Sequence, residues 1–352
     1  MDGQDEAYLA AHPDSTEEIP VLDISDYMAG KPGARERLGA ELREISETIG
    51  FFYLVGHGVP LSLFEEVFQQ SRRFHERPLD VRRRMPKKAP DIPLGYEAWE
   101  DKAARPGEPP ANLSSSYLLY IERGPNNPEI NPEDPYRRAN TWPDDLPGFR
   151  EKVLEYYNAV EQVGLAMMPI WAAALGLPAD YFTQYFKNPW LATSLLYYPP
   201  QETDKNRPFG IKPHTDNTIM TMLSQADVPG LAVQMPSGHW RVADIKPGAF
   251  MVNTGNSLSR WTNGRFLSTK HTVVNTSGKG RYSIPIFFGS DLDTVIETLP
   301  CCITPEQPAK YPPITYRELQ NWYFFGQGLY ERSMGPGTES KGRWLQDKAK
   351  AS

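Results

Sequence analysis

The sequence is poor in cysteine and has no long apolar run. Its two cysteines, Cys301 and Cys302, are adjacent, so their Cα atoms lie closer together than ordinary disulfide geometry allows. A disulfide framework is therefore excluded, which indicates a reducing compartment. The sequence also lacks a basic-then-apolar leader and any run of 18 apolar residues, the marks of a signal peptide and of a transmembrane helix. We expect a cytoplasmic protein that does not bind membranes.

An excess of positive charge is also missing. There are 37 Lys and Arg against 44 Asp and Glu, so the formal net charge is −7. A field of this sign repels phosphate backbones and anionic lipids. The basic run from Arg72 to Lys88 departs from this trend, and we interpret it as a solvated helix face. We expect a small-molecule substrate, no nucleic acid partner, and a monomer or weak homo-oligomer.

Proline and glycine are abundant, at 34 and 27 of the 352 residues, which favours short strands separated by many turns. We divide the chain into a flexible tail (1–18), an N-terminal region of helices, strands and substrate-lid loops (19–190), a jelly-roll catalytic core (191–290) and a C-terminal segment (291–352). The C-terminal segment contains a predicted helix that we expect to cover the core.

Apolar periodicity predicts where the helices and strands lie. Helical spacing runs, for example, through Leu38, Leu42 and Ile45. The predicted helices span residues 34–49, 61–76, 146–175 and 315–331. The predicted strands of the first half span 19–24, 51–55 and 115–121. Those of the second half span 192–198, 209–213, 218–224, 231–235, 240–244, 249–253, 265–274 and 281–288.

The later strands are separated by turn signals, among them the hairpin dipeptide Asn263-Gly264. About eight short antiparallel strands of this kind describe a jelly roll, also called a double-stranded β-helix, whose interior can hold a ligand. The predicted fold class is therefore α+β and mainly β, with a jelly-roll core, an N-terminal helical region and a C-terminal helix.

Histidine is scarce, which narrows the choice of metal ligands. The six histidines are His12, His57, His75, His214, His239 and His271. His12 lies in the polar tail, and we expect His57 to make a structural hydrogen bond in its Gly-His-Gly turn. His75 and His239 are predicted to be surface residues. His214 and His271 therefore remain as candidate ligands.

His214 and Asp216 are two positions apart, so both side chains leave the same face of a strand end. His271 lies far along the chain on another predicted strand, a separation that suits neighbouring strands of a barrel better than a local zinc loop. Two imidazoles and one carboxylate can occupy one face of a ferrous ion and leave the other face open to small ligands. Alone, a strand histidine is usually a core or surface residue, and His-x-Asp is a weak signal.

A second motif, Arg281-Tyr282-Ser283, strengthens the metal hypothesis. Arg281 and Ser283 share a face of the last predicted strand, and a guanidinium beside a hydroxyl is suited to binding a carboxylate. The rest of that strand is apolar, which makes it a costly place for an unpaired charge. We therefore expect an anionic ligand at Arg281.

Together these motifs resemble the 2-oxoglutarate-dependent Fe(II) dioxygenases of the isopenicillin N synthase-like group, which includes plant flavonoid and gibberellin oxygenases and microbial tailoring oxygenases. The resemblance extends from Ile19 to about Tyr330. The segments that carry it are Ile19–Asp23, Gly50–Pro60, Tyr197–Pro199, His214–Asp216, Val228–Leu231, Pro247-Gly248, Val252-Asn253, Asn263-Gly264, His271 and Arg281–Ser283.

The resemblance implies a role for each of several residues. His214, Asp216 and His271 match the iron ligands. Arg281, Ser283 and Tyr198 match contacts to 2-oxoglutarate. Tyr117, Leu119 and Phe287 match positions that face the substrate in relatives, although core packing accounts equally well for Leu119. Two positions depart from the pattern, since Leu196 and Asn256 stand where many relatives have Asn and Asp.

The implied reaction consumes Fe(II)-activated O2 and 2-oxoglutarate and oxidises an unactivated C–H bond of a medium-sized organic metabolite, of the kind made in secondary metabolism. Succinate and CO2 are formed, and the substrate is hydroxylated, desaturated, cyclised or demethylated. One alternative is an iron oxidase of the same fold that does not use 2-oxoglutarate. The other is a non-catalytic jelly roll that binds a small ligand.

Overall fold

The computed structural model describes residues 17–87, 94–101, 112–122, 130–201 and 209–325. Most of the predicted N-terminal tail and the part of the predicted C-terminal helix beyond residue 325 lie outside these ranges. Among the described helices, none is both long enough and apolar enough to cross a membrane.

Strands dominate the second half of the chain, as the sequence predicts. The strands are β1 (Val21–Asp23), β2 (Phe51–Val55), β3 (Gly95–Glu97), β4 (Ser115–Tyr120), β5 (Leu191–Tyr198), β6 (Ile211–His214), β7 (Met220–Gln225), β8 (Leu231–Gln234), β9 (Trp240–Val242), β10 (Phe250–Thr254), β11 (His271–Val273), β12 (Arg281–Phe288), β13 (Val295–Ile296) and β14 (Ile314–Thr315). The helices are α1 (Ser25–Met28), α2 (Ala34–Thr48), α3 (Leu61–His75), α4 (Leu79–Arg82), α5 (Phe149–Ala174), α6 (Asn256–Trp261) and α7 (Tyr316–Phe325).

Two sheets form the jelly roll. The large sheet has the strand order β1-β2-β10-β7-β12-β5-β4-β3, and the small sheet has the order β6-β11-β8-β9. Strands β13 and β14 make a separate two-stranded ribbon. Phe51 on the large sheet and His271 on the small sheet make an edge-to-face ring contact, with ring centres 5.3 Å apart. The two sheets therefore face each other across the interior. The α+β fold class with a jelly-roll core is confirmed.

Helices α3 and α5 cover the outer face of the large sheet. Tyr156 of α5 is hydrogen-bonded to Ser224 of β7 at 2.8 Å. Helix α5 also approaches β12 so closely that a Cβ on Gly164 would overlap the ring of Phe288. Because side chains alternate along a strand, Ser224 and Phe288 point outward, while their neighbours Gln225 and Phe287 point into the jelly roll.

Several predicted elements agree with the structure to within a residue or two, and others were wrong. Helices α2 and α3 and strand β2 lie where the sequence predicts them. The predicted strand 265–274 is wrong, because only His271–Val273 is a strand. The backbone of Leu267 bonds instead to Ser46 of α2, which keeps this segment out of the sheet. The short helix α6 was not predicted.

His75 was predicted to lie on the surface, and this is wrong. The residue is 4% exposed, and its Nε2 is hydrogen-bonded to the carbonyl oxygen of Leu195 at 3.0 Å. Its ring stacks on Tyr197 at 5.6 Å. The basic residues nearby in sequence suggested a solvated face, but His75 lies on the other side of α3, against the sheet. Burial lowers the pKa of His75 to about 3.

Candidate metal centre

Two neighbouring strands of the small sheet bring His214, Asp216 and His271 together. Strands β6 and β11 pair with His271 directly opposite His214, and the two imidazole rings lie 4.3 Å apart. Asp216 follows β6 by two residues. Its Oδ1 lies 3.8 Å from Nε2 of His214 and 3.7 Å from Nε2 of His271. One ion could therefore contact all three side chains, and no second group of this kind exists among the described residues.

The hydrogen bonds of both histidines orient Nε2 toward this point. Nδ1 of His214 lies 2.8 Å from the carbonyl oxygen of Lys212, and Nδ1 of His271 lies 3.2 Å from that of Thr269. A carbonyl oxygen can only accept, so each Nδ1 carries the proton and donates it. In the neutral form of such a ring the lone pair is on Nε2, as metal ligation requires.

The two carboxylate oxygens of Asp216 have different partners. Oδ2 accepts hydrogen bonds from the Thr221 hydroxyl at 2.6 Å and from the Asn253 amide at 2.9 Å. Oδ1 faces the two imidazoles. Burial acts to raise the pKa of Asp216, but His271, His214 and the two hydrogen bonds outweigh it and lower the pKa. Asp216 is therefore ionised, as a ligand to a cation must be.

Burial lowers the pKa of His271 to about 4, with the nearby His214 acting in the same direction. The imidazole of His271 is thus neutral near pH 7. Two imidazoles and one carboxylate on a single face form the donor set suited to Fe(II). The donor atoms therefore fit an iron ion.

The guanidinium of Arg281 lies inside the jelly roll and is fully buried. It donates to Oγ of Ser283 at 3.3 Å and to Oε1 of Gln225 at 3.0 Å, and its Cζ lies 4.8 Å from the centre of the Tyr198 ring. Burial lowers the pKa of Arg281, although Tyr198 acts against this.

Two observations show that these contacts leave the Arg281 charge unbalanced. Its Nε–H has no hydrogen-bond partner among the described residues. Within the same ranges, no carboxylate lies within ion-pair distance of the guanidinium. A buried charge without a counter-ion is strongly disfavoured, so the pocket is suited to an anion.

Tyr117 and Leu119 do not face this interior. The ring of Tyr117 stacks on Phe74 of α3 at 4.5 Å, and its hydroxyl donates to the carbonyl oxygen of Thr141. Leu119, two residues further along β4, shares that outer face and is fully buried in the core. The substrate contacts expected of these two residues are therefore corrected, because the alternation places Ser116 and Leu118 on the inner face instead.

Phe287 is on the inner face of β12, and its contact with the substrate stays a prediction. It lies opposite Thr221 in the pairing of β12 with β7, and Thr221 is bonded to Asp216. Gln225, Thr221 and Asn253, which hold the functional side chains in place, were not predicted from the sequence. The signal that could have revealed them is a polar side chain at the inward position of an otherwise apolar strand.

A cavity of about 610 Å³ opens beside His214. Helix α7 contributes Trp322 and Tyr323 to its lining, and the other apolar residues of the lining include Ile49, Met235 and Leu267. The helix is joined to the metal-ligand loop, since the side chain of Asn217 donates to the carbonyl oxygen of Leu319 at 2.9 Å.

Most of the chain is similar to known proteins. The model of the 2OG-Fe(II) oxygenase superfamily matches residues 189–290, and that of the N-terminal region of the non-haem dioxygenases in morphine synthesis matches residues 19–145. A 2-oxoglutarate-Fe(II) type oxidoreductase, hxnY of Emericella nidulans, is 34% identical over 94% of this chain and 95% of its own length. Another of the same type, from Aspergillus fumigatus, is 31% identical over 85% of this chain and 90% of its own.

Solved structures are also similar. JOX2 in complex with 2OG, Fe and JA has a TM-score of 0.73 and 25% identity, and the match covers 94% of both chains. The dioxygenase for auxin oxidation in rice has a TM-score of 0.69 and 26% identity, and the match covers 88% of this chain and 97% of its own. A Neurospora crassa protein in complex with alpha-KG and thymine shares the fold, with a TM-score of 0.78 at 24% identity over 90% of this chain and 98% of its own.

Proposed function

Because the chain belongs to the 2-oxoglutarate–Fe(II) oxygenase superfamily, we propose that it oxidises an unactivated C–H bond of a medium-sized organic metabolite. With Fe(II) bound, 2-oxoglutarate and O2 are consumed, and succinate and CO2 are formed. Arg281 is the observation that carries this proposal. A fully buried guanidinium with an unpaired Nε–H and no described counter-ion faces the same interior as the three candidate iron ligands, and a dicarboxylate can bind to both.

Each side chain has a defined role in this proposal. His214, Asp216 and His271 hold the iron, and the carbonyl oxygens of Lys212 and Thr269 keep the imidazoles oriented. Bound Fe(II) supplies the means to couple the decarboxylation of 2-oxoglutarate to the oxidation of a C–H bond. The protein positions that bond and excludes water from it.

The distal carboxylate of 2-oxoglutarate is bound by Arg281, with Ser283 and Tyr198 completing the pocket. The hydrogen bond from Arg281 to Gln225 fixes the plane of the guanidinium. A small apolar cluster of Leu196, Tyr198 and Val273 lies beside it and suits the methylene carbons of the cosubstrate.

The organic substrate occupies the cavity beside His214, between α7 and the jelly roll. Its aromatic and apolar walls favour an apolar or aromatic molecule over a polar polymer. The ligands of similar structures, thymine and JA, are small molecules and support this size class. Hydroxylation, desaturation, cyclisation and demethylation are all compatible with the cavity.

The test is a turnover assay of the Fe(II)-loaded protein with a panel of aromatic and terpenoid-like compounds. We expect a subset of compounds to stimulate succinate formation and O2 uptake in equal amounts. The variant His214→Ala should lose this activity, whereas His239→Ala, at an exposed position, should retain it.

The same assay separates the alternatives. Substrate oxidation with O2 uptake but without loss of 2-oxoglutarate would identify an oxidase that needs no cosubstrate. Binding of a compound without O2 uptake by the iron-loaded protein would identify a non-catalytic binding protein. Either result would overturn the proposed reaction.

A further inference from the structure

The turn that carries Asp216 is bonded to helix α7 through both the side chain and the backbone of one residue, Asn217. The side-chain amide of Asn217 donates to the carbonyl oxygen of Leu319 at 2.9 Å. In return, Nε2 of Gln320 donates to the backbone carbonyl oxygen of Asn217 at 3.3 Å. Asn217 and Gln320 are 4% and 2% exposed, so water cannot readily replace either hydrogen bond. Helix α7 is therefore attached to the residue next to a candidate iron ligand.

Helix α6 also holds this turn. The backbone N–H of Asn256 donates to the carbonyl oxygen of Asp216 at 2.7 Å, and that of Ser257 donates to the carbonyl oxygen of Thr218 at 3.1 Å. Oγ of Ser257 donates to the carbonyl oxygen of Asn217 at 3.0 Å. Three hydrogen bonds thus hold the turn against α6, which makes it a firm point of attachment for α7.

The next turn of α7 faces the proposed substrate cavity. Trp322 and Tyr323 line this cavity together with His214. Residues three and four apart lie on the same side of a helix, so Trp322 and Tyr323 follow one turn beyond Leu319 and Gln320. The contact with Asn217 therefore sets where both aromatic side chains lie relative to the metal centre.

The rate of the proposed oxidation depends on the distance between the iron and the C–H bond. A displacement of about 1 Å in an active site can lower a rate about 100-fold. Here the carboxylate of Asp216 and the part of α7 that lines the cavity are both attached to one short turn. The two hydrogen bonds between Asn217 and α7 therefore link the substrate side of the site to the metal side.

We propose that Asn217 and Gln320 are positioning residues for the oxidation, because by holding α7 on the Asp216 turn they set where the organic substrate lies relative to the iron. This inference rests on the proposed function, since it requires a substrate between α7 and the metal centre. Neither side chain touches the substrate in this role. Both act through Trp322 and Tyr323.

The adjacent residue of α7 provides a matched control. Oδ1 of Asn321 accepts a hydrogen bond from the hydroxyl of Tyr136 at 2.8 Å, so this bond ties α7 to a segment before α5 and not to the Asp216 turn. Gln320→Met removes the donor to Asn217 and keeps a side chain of similar length, whereas Asn321→Ala removes the acceptor for Tyr136. Each variant takes one hydrogen bond from α7, so hydrogen exchange in this helix should become faster in both.

The experiment uses the full-length, Fe(II)-loaded protein with 2-oxoglutarate, ascorbate and the compound of the panel that gives the wild type the most succinate. Product and succinate form in equal amounts when the substrate is well placed. When it is misplaced, succinate still forms, and ascorbate supplies the electrons that the substrate would have given. We expect Gln320→Met to lower the product formed per succinate about twofold or more. The Kd of the compound, measured by calorimetry without O2, should rise about fivefold. Asn321→Ala should keep the wild-type ratio of product to succinate.

A second variant, Asn217→Ala, removes the other hydrogen bond to α7 and should lower the ratio in the same way. If both Gln320→Met and Asn217→Ala keep the wild-type ratio, the positioning role is overturned while the proposed function stands. The role is also overturned if Asn321→Ala lowers the ratio as much as Gln320→Met, because any attachment of α7 would then serve equally well. If the wild-type protein neither binds 2-oxoglutarate nor forms succinate, the proposed function fails and the positioning role fails with it.

Discussion

At the scale of single residues, the candidate centre depends on side chains that do not touch the metal or the cosubstrate. Thr221 and Asn253 occupy one oxygen of Asp216 and direct the other toward the two imidazoles. Gln225 does the same for Arg281 by fixing the plane of its guanidinium. Residues of this kind commonly change metal affinity when they are replaced.

Replacing Asn253 with Ala tests this support. The variant removes one of the two hydrogen bonds that orient Asp216, so we expect Fe(II) to bind about 10- to 100-fold more weakly, measured by anaerobic titration. Asn140→Ala is the matched control, since Asn140 also donates from an amide to a carboxylate, that of Glu122 at 2.9 Å, but lies on another part of the fold. Unchanged iron affinity in Asn253→Ala would refute the orienting role.

His75 gives a prediction about pH. Burial holds the pKa of His75 in the folded protein at about 3, below the ordinary value of 6.5. Between these two pH values His75 is protonated in the unfolded chain but neutral in the folded protein. Stability is therefore lost as the pH falls from 6.5 toward 3, by about 1.4 kcal/mol per pH unit for this one group. The variant His75→Gln should show a shallower pH dependence in urea denaturation. His239→Gln, at an exposed position, should match the wild type, and equal slopes in all three proteins would contradict the prediction.

At the scale of elements, the contact between α5 and β12 sets how the helical layer sits on the large sheet. Gly164→Ala would place a Cβ within the space of the Phe288 ring, which requires the ring or the helix to move. We expect a loss of about 1–3 kcal/mol in the free energy of unfolding, measured by urea denaturation. Combining it with Phe288→Leu should cost less than the sum of the two single changes. A Gly164→Ala variant more stable than the wild type would exclude this close contact.

Helix α7 is the element that closes the proposed substrate cavity. Nη1 of its Arg317 donates to both carboxylate oxygens of Asp134, at 2.9 and 3.0 Å. The variant Arg317→Ala should favour local opening of α7 by about 1 kcal/mol, seen as faster hydrogen exchange in this helix. We expect a higher KM for the organic substrate and an unchanged Kd for 2-oxoglutarate, because Arg281 lies elsewhere. Lys31→Ala removes an exposed ion pair with Asp26 and serves as the control. A rise in the Kd for 2-oxoglutarate as large as the rise in the KM for the organic substrate would contradict the prediction that α7 affects only the substrate cavity.

At the scale of the whole molecule, the buried charge of Arg281 links ligand binding to stability. A ligand at 100 times its Kd adds about 2.7 kcal/mol to the free energy of unfolding, so 2-oxoglutarate should raise the unfolding temperature of the Fe(II)-loaded protein. Arg281→Leu should remove this rise. Without ligand the same variant should be no less stable than the wild type, because it eliminates a buried charge that has no described counter-ion. A rise that survives in Arg281→Leu would exclude this residue as the anion site.

The sequence predicted the parts of this molecule that depend on local pattern. Alternation predicted that Arg281 and Ser283 share a face, and helical spacing predicted α2 and α3. It could not determine which face of β4 points inward, because apolar residues stand on both of its faces, and Tyr117 and Leu119 turned out to pack on the outer side. The burial of His75 and the path of residues 265–270 depend on contacts between distant segments, which local spacing does not encode.

The register between β5, β7 and β12 fixes the distance between the two ends of the proposed cosubstrate site. Arg281 is fixed at one end of the large sheet, while Thr221 and Asn253 fix Asp216 at the other. Arg281 and the residues that orient Asp216 therefore belong to one hydrogen-bonded sheet, while His214 and His271 lie on the small sheet. If 2-oxoglutarate binds between Arg281 and the iron as proposed, this spacing is matched to its length, and a keto-diacid one carbon shorter or longer should bind more weakly.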